Sequence, residues 1–154
     1  SNDISRTGIS AGPLPINAYI SGCTNQPCLL PQGQDAVIEI IFRVPHVIHN
    51  MRTVAMAYLS IIPFPYDLGE KAATCNFLSN TYCPVVANEV VQYTLNMPIE
   101  EFMPVGTQLP IEFRIMDDSN RAVMCIRATI RVAPPVASHQ GNLAAGNATI
   151  AVEV

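Results

Sequence analysis

Charged side chains are scarce in this sequence. Asp, Glu, Lys and Arg make up 13% of its 154 residues, whereas an average soluble domain contains about 25%. Lys71 is the single lysine, and the seven arginines are scattered rather than clustered. Binding to nucleic acid, or to an anionic membrane through a polybasic segment, requires concentrated positive charge. The sequence therefore argues against both functions.

Long hydrophobic runs are also missing, although hydrophobic residues make up 49% of the chain and the mean hydropathy is +0.27. No stretch approaches the length of about 18 apolar residues that a membrane-spanning helix needs. The apolar excess must therefore be buried inside a chain that has the length of one domain. A packed core can absorb part of it. A ligand cavity would absorb more, because its walls need apolar residues with no protein partner opposite.

Catalytic motifs are absent from the sequence. It contains no G-x-S-x-G, no H-E-x-x-H and no phosphate-binding loop. Asp117 and Asp118 are paired carboxylates, but they stand in a polar turn, where we expect them to stay solvated. His46 and His49 could bind a metal or sense acidic pH, but without a third ligand nearby we expect solvated loop histidines. The sequence thus predicts no enzyme, no cofactor and no metal.

The cysteines are odd in number: Cys23, Cys28, Cys75, Cys83 and Cys125. The spacings C-x4-C and C-x7-C fit no common zinc site. Two short disulfide loops explain them better and indicate an oxidising compartment. The first ten residues show no signal-peptide pattern. Either the protein is cytosolic or its signal peptide has been removed. The cysteine spacing favours removal, and we therefore expect a secreted or lysosomal protein.

Alternating apolar residues predict an all-β chain. The predicted strands cover residues 15–21, 36–44, 53–62, 90–97, 109–116 and 121–132. The segment DDSN at 117–120 joins two of these runs and predicts a hairpin. Short strands separated by turn residues favour a β-sandwich. Residues 1–132 would form the domain, and 133–154 a tail with a linker and a short strand at 148–154.

Five segments, in this order, resemble the ML-domain lipid-recognition family, most closely its soluble Niemann-Pick type C sterol carriers and their arthropod relatives. They are GCTNQPC (22–28), VIEIIF (37–42), IPFPYDLGEKAATC (62–75), CNFLSNTYCPV (75–85) and IEFRIMDDSNRAVMCIRATIRV (111–132). The resemblance covers roughly residues 13–132. It implies an immunoglobulin-like sandwich of two antiparallel sheets with lipid bound between them, and neither catalysis nor a cofactor.

The resemblance also implies the disulfides Cys23–Cys28 and Cys75–Cys83. In the family, the last cysteine pairs with one near the N-terminus, but RTGISAGPLP at 6–15 contains none. Cys125 is therefore expected to be a free thiol, or to bridge two chains. Its side chain should point away from the buried face, and the neighbouring arginines should favour its thiolate.

The resemblance further suggests which residues contact the ligand. Phe64 would line the cavity mouth, together with an entrance loop that carries Ile99, Phe102, Met103 and Pro104. Further candidates lie on inward strand faces or in the apolar strand 53–62, namely Phe42, Tyr58, Tyr93 and Phe113. Ordinary core packing is the alternative for each of these residues. The polar end of a ligand is expected at the mouth, because the strand faces offer few buried polar partners.

These features predict a monomeric carrier that binds a sterol, fatty acid or small semiochemical and delivers it to a membrane or receptor. One alternative is an innate-immune module that recognises microbial lipids, which would need a basic rim for phosphates. Another is a structural sandwich without a cavity. Asn147, in the sequon NAT, would be glycosylated in a secreted protein.

Overall fold

A computed structural model describes residues 12–136, and these contain strands and two short 3₁₀ helices but no α-helix. The strands are β1 Asn17–Ile20, β2 Cys28–Pro31, β3 Asp35–Arg43, β4 Arg52–Leu59, β5 Ile62–Tyr66, β6 Val90–Pro98, β7 Gln108–Met116 and β8 Ala122–Ala133. Each of the six predicted strands overlaps one of these elements, and 53–62 overlaps both β4 and the start of β5. Strands β2 and β5 were not predicted as separate strands.

The strands form two sheets. Sheet A has the order β1-β3-β6, and sheet B has the order β2-β8-β7-β4-β5. Neighbouring strands are antiparallel, except that β2 runs parallel to β8. The predicted β-sandwich is confirmed, with one parallel pair at the edge of sheet B.

The core lies between the sheets because each long strand alternates between apolar and polar positions. In β3, Ile38, Ile40 and Phe42 are buried and Glu39 is exposed. Strands β6 and β7 follow the same period of two, which places one face of each strand against the opposite sheet. The alternation therefore determines which side chains face the interior.

The predicted strand 53–62 divides into β4 and β5, which corrects that prediction. Ser60 has φ 61, and Leu59 pairs with Ile62 across a two-residue turn. The segment PFPY belongs to β5 and is not a loop. Its prolines are tolerated because β5 is an edge strand that pairs with β4 alone. The predicted hairpin at 117–120 is confirmed between β7 and β8.

One side of the sandwich is closed by the connection from β5 to β6. This connection contains the 3₁₀ helices Gly69–Ala72 and Thr74–Phe77. Ala73 bridges to Arg52 of β4, and Leu78 bridges to Tyr93 of β6. The connection thus extends the edge of sheet B where β5 does not reach and links it to sheet A.

Both expected disulfides are confirmed, Cys23–Cys28 and Cys75–Cys83. The first closes a loop that packs against β8, where the Thr129 amide donates to the Gln26 side chain over 2.7 Å. Within residues 12–136, no helix is long and apolar enough to cross a membrane. The predicted strand at 148–154 and the sequon at Asn147 lie outside the described residues.

Candidate functional site

The β6–β7 loop, residues 99–107, meets strand β5 at one end of the sandwich. The Tyr66 hydroxyl donates to the Pro98 carbonyl over 2.6 Å and accepts from the Glu100 amide over 3.3 Å. The ring of Tyr66 lies 6.4 Å from that of Phe102. Burial is the main cause that raises the pKa of Tyr66, so its hydroxyl stays protonated and keeps donating. These contacts join the two sheets where the 99–107 loop meets β5, and we call this region the mouth.

The predicted entrance residues divide into two groups at the mouth. Ile99 and Met103 are buried, whereas Phe64 is 40% exposed, Phe102 is 75% exposed and Pro104 is exposed. Phe64 pairs with Ala57 in the β4–β5 ladder, and directly paired residues point to the same face of a sheet. Phe64 therefore lies on the inward face, at the edge beside the mouth.

Strand β4 presents small residues to the interior. Its inward positions include Ala55 and Ala57, while the paired positions of the neighbouring strands are bulky. These neighbours are Tyr66 and Phe64 on β5, and Phe113 and Ile111 on β7. The inner surface of sheet B thus carries a row of small residues, which we call the β4 track, flanked by larger side chains on both neighbouring strands.

Sheet A covers the β4 track with Tyr93, Leu95 and Met97 of β6, which are at most 1% exposed. Phe42, another predicted contact, is buried in the same interior. A molecule that entered between the sheets would displace some of these side chains, and methionine is the side chain best suited to rearrange.

A cluster of three buried hydroxyls ends the β4 track. The Thr53 hydroxyl lies 2.7 Å from that of Thr74 and 2.7 Å from that of Tyr93. All three residues are at most 3% exposed, and burial raises the pKa of Tyr93 to about 12. We expected few buried polar groups on the inward strand faces, and this cluster is an exception. Alternation alone could have placed Thr53 on the same face as Ala55 and Ala57.

Tyr58 does not belong to this interior, which corrects the prediction that it contacts ligand. It alternates with Ala57 and so faces outward from sheet B. Its ring lies 4.2 Å below the Arg127 guanidinium, and its hydroxyl donates to Glu112 over 3.4 Å. Burial alone would raise the pKa of Glu112, but Arg114 and Arg127 lower it below its ordinary value.

Cys125 faces outward as expected and forms no disulfide within residues 12–136. It is nonetheless buried beneath the segment that contains Gly12 and Pro13. Its amide donates to the Pro13 carbonyl over 2.8 Å, and Gly12 lies so close that an added Cβ would be 3.2 Å from the Cβ of Cys125. Burial is the main cause that raises its pKa to about 11, and Glu112 adds to this. The expectation of a favoured thiolate was therefore wrong, because desolvation and the carboxylate outweigh the nearby arginines.

The two histidines and two aspartates meet at the end of the sandwich opposite the mouth. Asp117 is buried rather than solvated, and its side chain accepts hydrogen bonds from the amides of Arg121 and Ser119. His46 Nε2 lies 2.9 Å from Asp117 Oδ2, and the His49 amide donates to Asp118. In the part of the chain that the structure describes, no group of three potential ligands could hold a metal ion.

Comparisons with known proteins agree with this architecture. NPC intracellular cholesterol transporter 2 of Danio rerio is 24% identical over 117 residues, 76% of either chain. Its Bos taurus counterpart is 25% identical over 113 residues, 73% of either chain. The crystal structure of a Niemann-Pick type C2 protein from Japanese carpenter ant superposes with a TM-score of 0.72 at 17% identity, covering 84% of this chain and 98% of that one. A model of the ML domain matches residues 12–132, and the chain therefore belongs to the ML-domain family.

Proposed function

We propose that this protein is a secreted or lysosomal carrier that binds a sterol, fatty acid or similar small hydrophobic molecule between its sheets. The observation that carries the proposal is the β4 track, in which Ala55 and Ala57 lie between rows of bulky residues and lead towards Phe64 at the mouth. The related cholesterol transporters of Danio rerio and Bos taurus support it. The function is binding and release rather than catalysis.

Burial of apolar surface supplies the binding energy. A ligand that hides roughly 300 Å² gains about 7–8 kcal/mol at about 25 cal/mol per Å². Loss of translational and rotational freedom offsets several kcal/mol of this gain. When further ligand surface is buried, the balance is compatible with dissociation constants in the micromolar range or somewhat below.

Opening of the mouth would involve the 99–107 loop, which is fixed at both ends. The Gly33 amide donates to the Ile99 carbonyl, and the Gly106 amide donates to the Val132 carbonyl, each over 2.8 Å. Between these anchors, the Gln32 side chain donates to the Met103 carbonyl over 2.8 Å. Breaking this hydrogen bond would let Met103 move outward while the ends of the loop stay in place.

Delivery would use the exposed apolar residues at the same end of the sandwich. The β4–β5 turn presents Leu59, Ile61 and Ile62, and the β6–β7 loop presents Phe102 and Val105. Exposed apolar patches of this kind mark surfaces that contact a partner or a membrane. The acceptor would be a membrane or a receptor, and the carrier itself would act as a monomer.

Recognition of microbial lipids is a less favoured function because the described entrance loop, residues 99–107, carries no basic residue that could form a rim. Lys71 donates to the Asn96 carbonyl over 3.1 Å and lies 3.6 Å from Asp35. The entrance loop carries Glu100 and Glu101. Phosphate groups would therefore meet negative charge at this loop.

Titration with a fluorescent fatty-acid or sterol probe tests the carrier proposal. Wild-type protein should bind one probe per chain saturably, and unlabelled lipid should displace it. Ala57→Leu should reduce affinity at least tenfold by filling the track, whereas Met56→Leu, on the outer face of the same strand, should not. Absence of saturable binding in wild type, or equal effects of the two variants, would contradict the proposal.

A further inference from the structure

The inner end of the β4 track is polar. Thr53 follows Ala57 and Ala55 along the inward face of β4, and Tyr93 reaches it from sheet A. From Leu59 to Thr53 the strand rises about 20 Å at about 3.4 Å per residue. An elongated molecule that enters beside Phe64 would therefore meet this hydroxyl cluster with its leading end.

The hydroxyl cluster of Thr53, Thr74 and Tyr93 has one more proton than it has short contacts. Its three hydroxyl groups share two contacts of 2.7 Å. If the donors run from Tyr93 towards Thr74, the last proton has the Ala72 carbonyl at 3.5 Å, the outer limit for a hydrogen bond. If they run the other way, Tyr93 Oη holds a proton for which the described residues provide no acceptor. If Tyr93 and Thr74 both donate to Thr53, the Thr53 proton is the one left over.

The hydroxyl oxygens of the cluster can also accept further hydrogen bonds. Each hydroxyl oxygen can accept two hydrogen bonds, and Thr53 is the one hydrogen-bond partner of Tyr93 Oη within residues 12–136. A ligand oxygen at this position could take the surplus proton, and a ligand hydroxyl could in addition donate to Tyr93. The cluster can therefore recognise an alcohol, an aldehyde or a ketone.

Alcohols, aldehydes and ketones are uncharged, whereas the carboxylate of a fatty acid is ionised. Among the described residues, no Lys, Arg or His is buried, and an ionised carboxylate without a partner is costly to bury. We infer that the hydroxyl cluster is a polar subsite for the inner end of an elongated, uncharged ligand that carries an alcohol or carbonyl oxygen. This inference rests on the proposed carrier function and names the ligand class for the same site.

Competition of hexadecanol, hexadecane and hexadecanoate against a fluorescent probe tests the subsite. Hexadecanol should bind wild type about fivefold more tightly than hexadecane, the typical effect of one net hydrogen bond, and also more tightly than hexadecanoate. Tyr93→Phe should abolish the preference for the alcohol over the alkane. Tyr58→Phe, the same change on the outer face, should preserve it.

Thr74→Val provides a second test if circular dichroism shows that Tyr93→Phe is unfolded. It leaves the Tyr93 hydroxyl and the surplus proton of the Thr53–Tyr93 pair in place, so it should preserve the preference. Equal binding of alcohol and alkane by wild type would overturn the subsite while leaving the carrier function intact. A preference that survives loss of the Tyr93 hydroxyl, a preference that is lost with the Thr74 hydroxyl, or tighter binding of hexadecanoate would overturn it as well. Failure of wild type to bind the probe and all three ligands would overturn both proposals.

Discussion

Phe64 is expected to contribute to ligand affinity more than to folding. It lies at an edge, with 40% of its side chain exposed, and a bound ligand would cover much of this surface. An aromatic side chain offers roughly 200 Å², so the exposed 40% corresponds to roughly 80 Å². At about 25 cal/mol per Å², covering it is worth about 2 kcal/mol, which is about 30-fold in affinity.

The perturbation is Phe64→Ala, measured by probe titration and by urea unfolding. Affinity should fall about 10- to 30-fold, because alanine recovers little of the lost contact. Tyr82→Ala is the matched control, since Tyr82 is 85% exposed and lies in the loop closed by Cys75–Cys83, away from the mouth. A folded Phe64→Ala protein that binds the probe like wild type would refute the placement of Phe64 at the mouth.

Three further predictions concern the other end and the outer face of the molecule. Gly12→Val should lower the free energy of unfolding by about 1–3 kcal/mol, because its Cβ would lie 2.9 Å from that of Ala122; an unchanged urea midpoint would contradict this packing. Cys125 should resist thiol labelling in the native protein and give one labelled thiol per chain in denaturant. Three labelled thiols per chain would show that one of the two disulfides does not form. Burial alone would raise the pKa of Asp117, but the Arg121 and Ser119 amides and His46 lower it. Asp117 therefore stabilises the fold above about pH 4, and this contribution is lost as pH falls through the lowered pKa; wild type should lose more stability than Asp117→Asn in acid, and parallel curves would contradict this.

The long strands were predictable because one face of each is buried. In β3 the alternation of Ile38, Glu39 and Ile40 determines both the strand and its inward face. The β4–β5 turn was not predictable, because Ser60 and Ile61 lack the usual glycine or asparagine and Ile61 is 86% exposed. An apolar turn opposes local turn preferences, so the sequence suggests a continuous strand.

The ligand contacts stay predictions, and the faces of the candidate residues were harder to predict inside the sandwich than at the mouth. Alternation cannot assign a face to Tyr58, because the predicted strand 53–62 is apolar on both sides. The hydroxyl cluster joins Thr53 to residues 21 and 40 positions away, so no local pattern reveals it. The cover over Cys125 comes from Gly12 and Pro13, in a segment without periodicity.

Binding between the sheets is the central claim, and nuclear Overhauser effects between a long-chain alcohol and methyl-labelled protein test it most directly. Strand β4 supplies the internal control, since Ala55 and Ala57 face inward whereas Val54 and Met56 face outward. Contacts from ligand protons to the methyl groups of Ala55 and Ala57, with none to Val54 or Met56, are the predicted result. Contacts to Val54 and Met56 without any to the alanines would contradict the account.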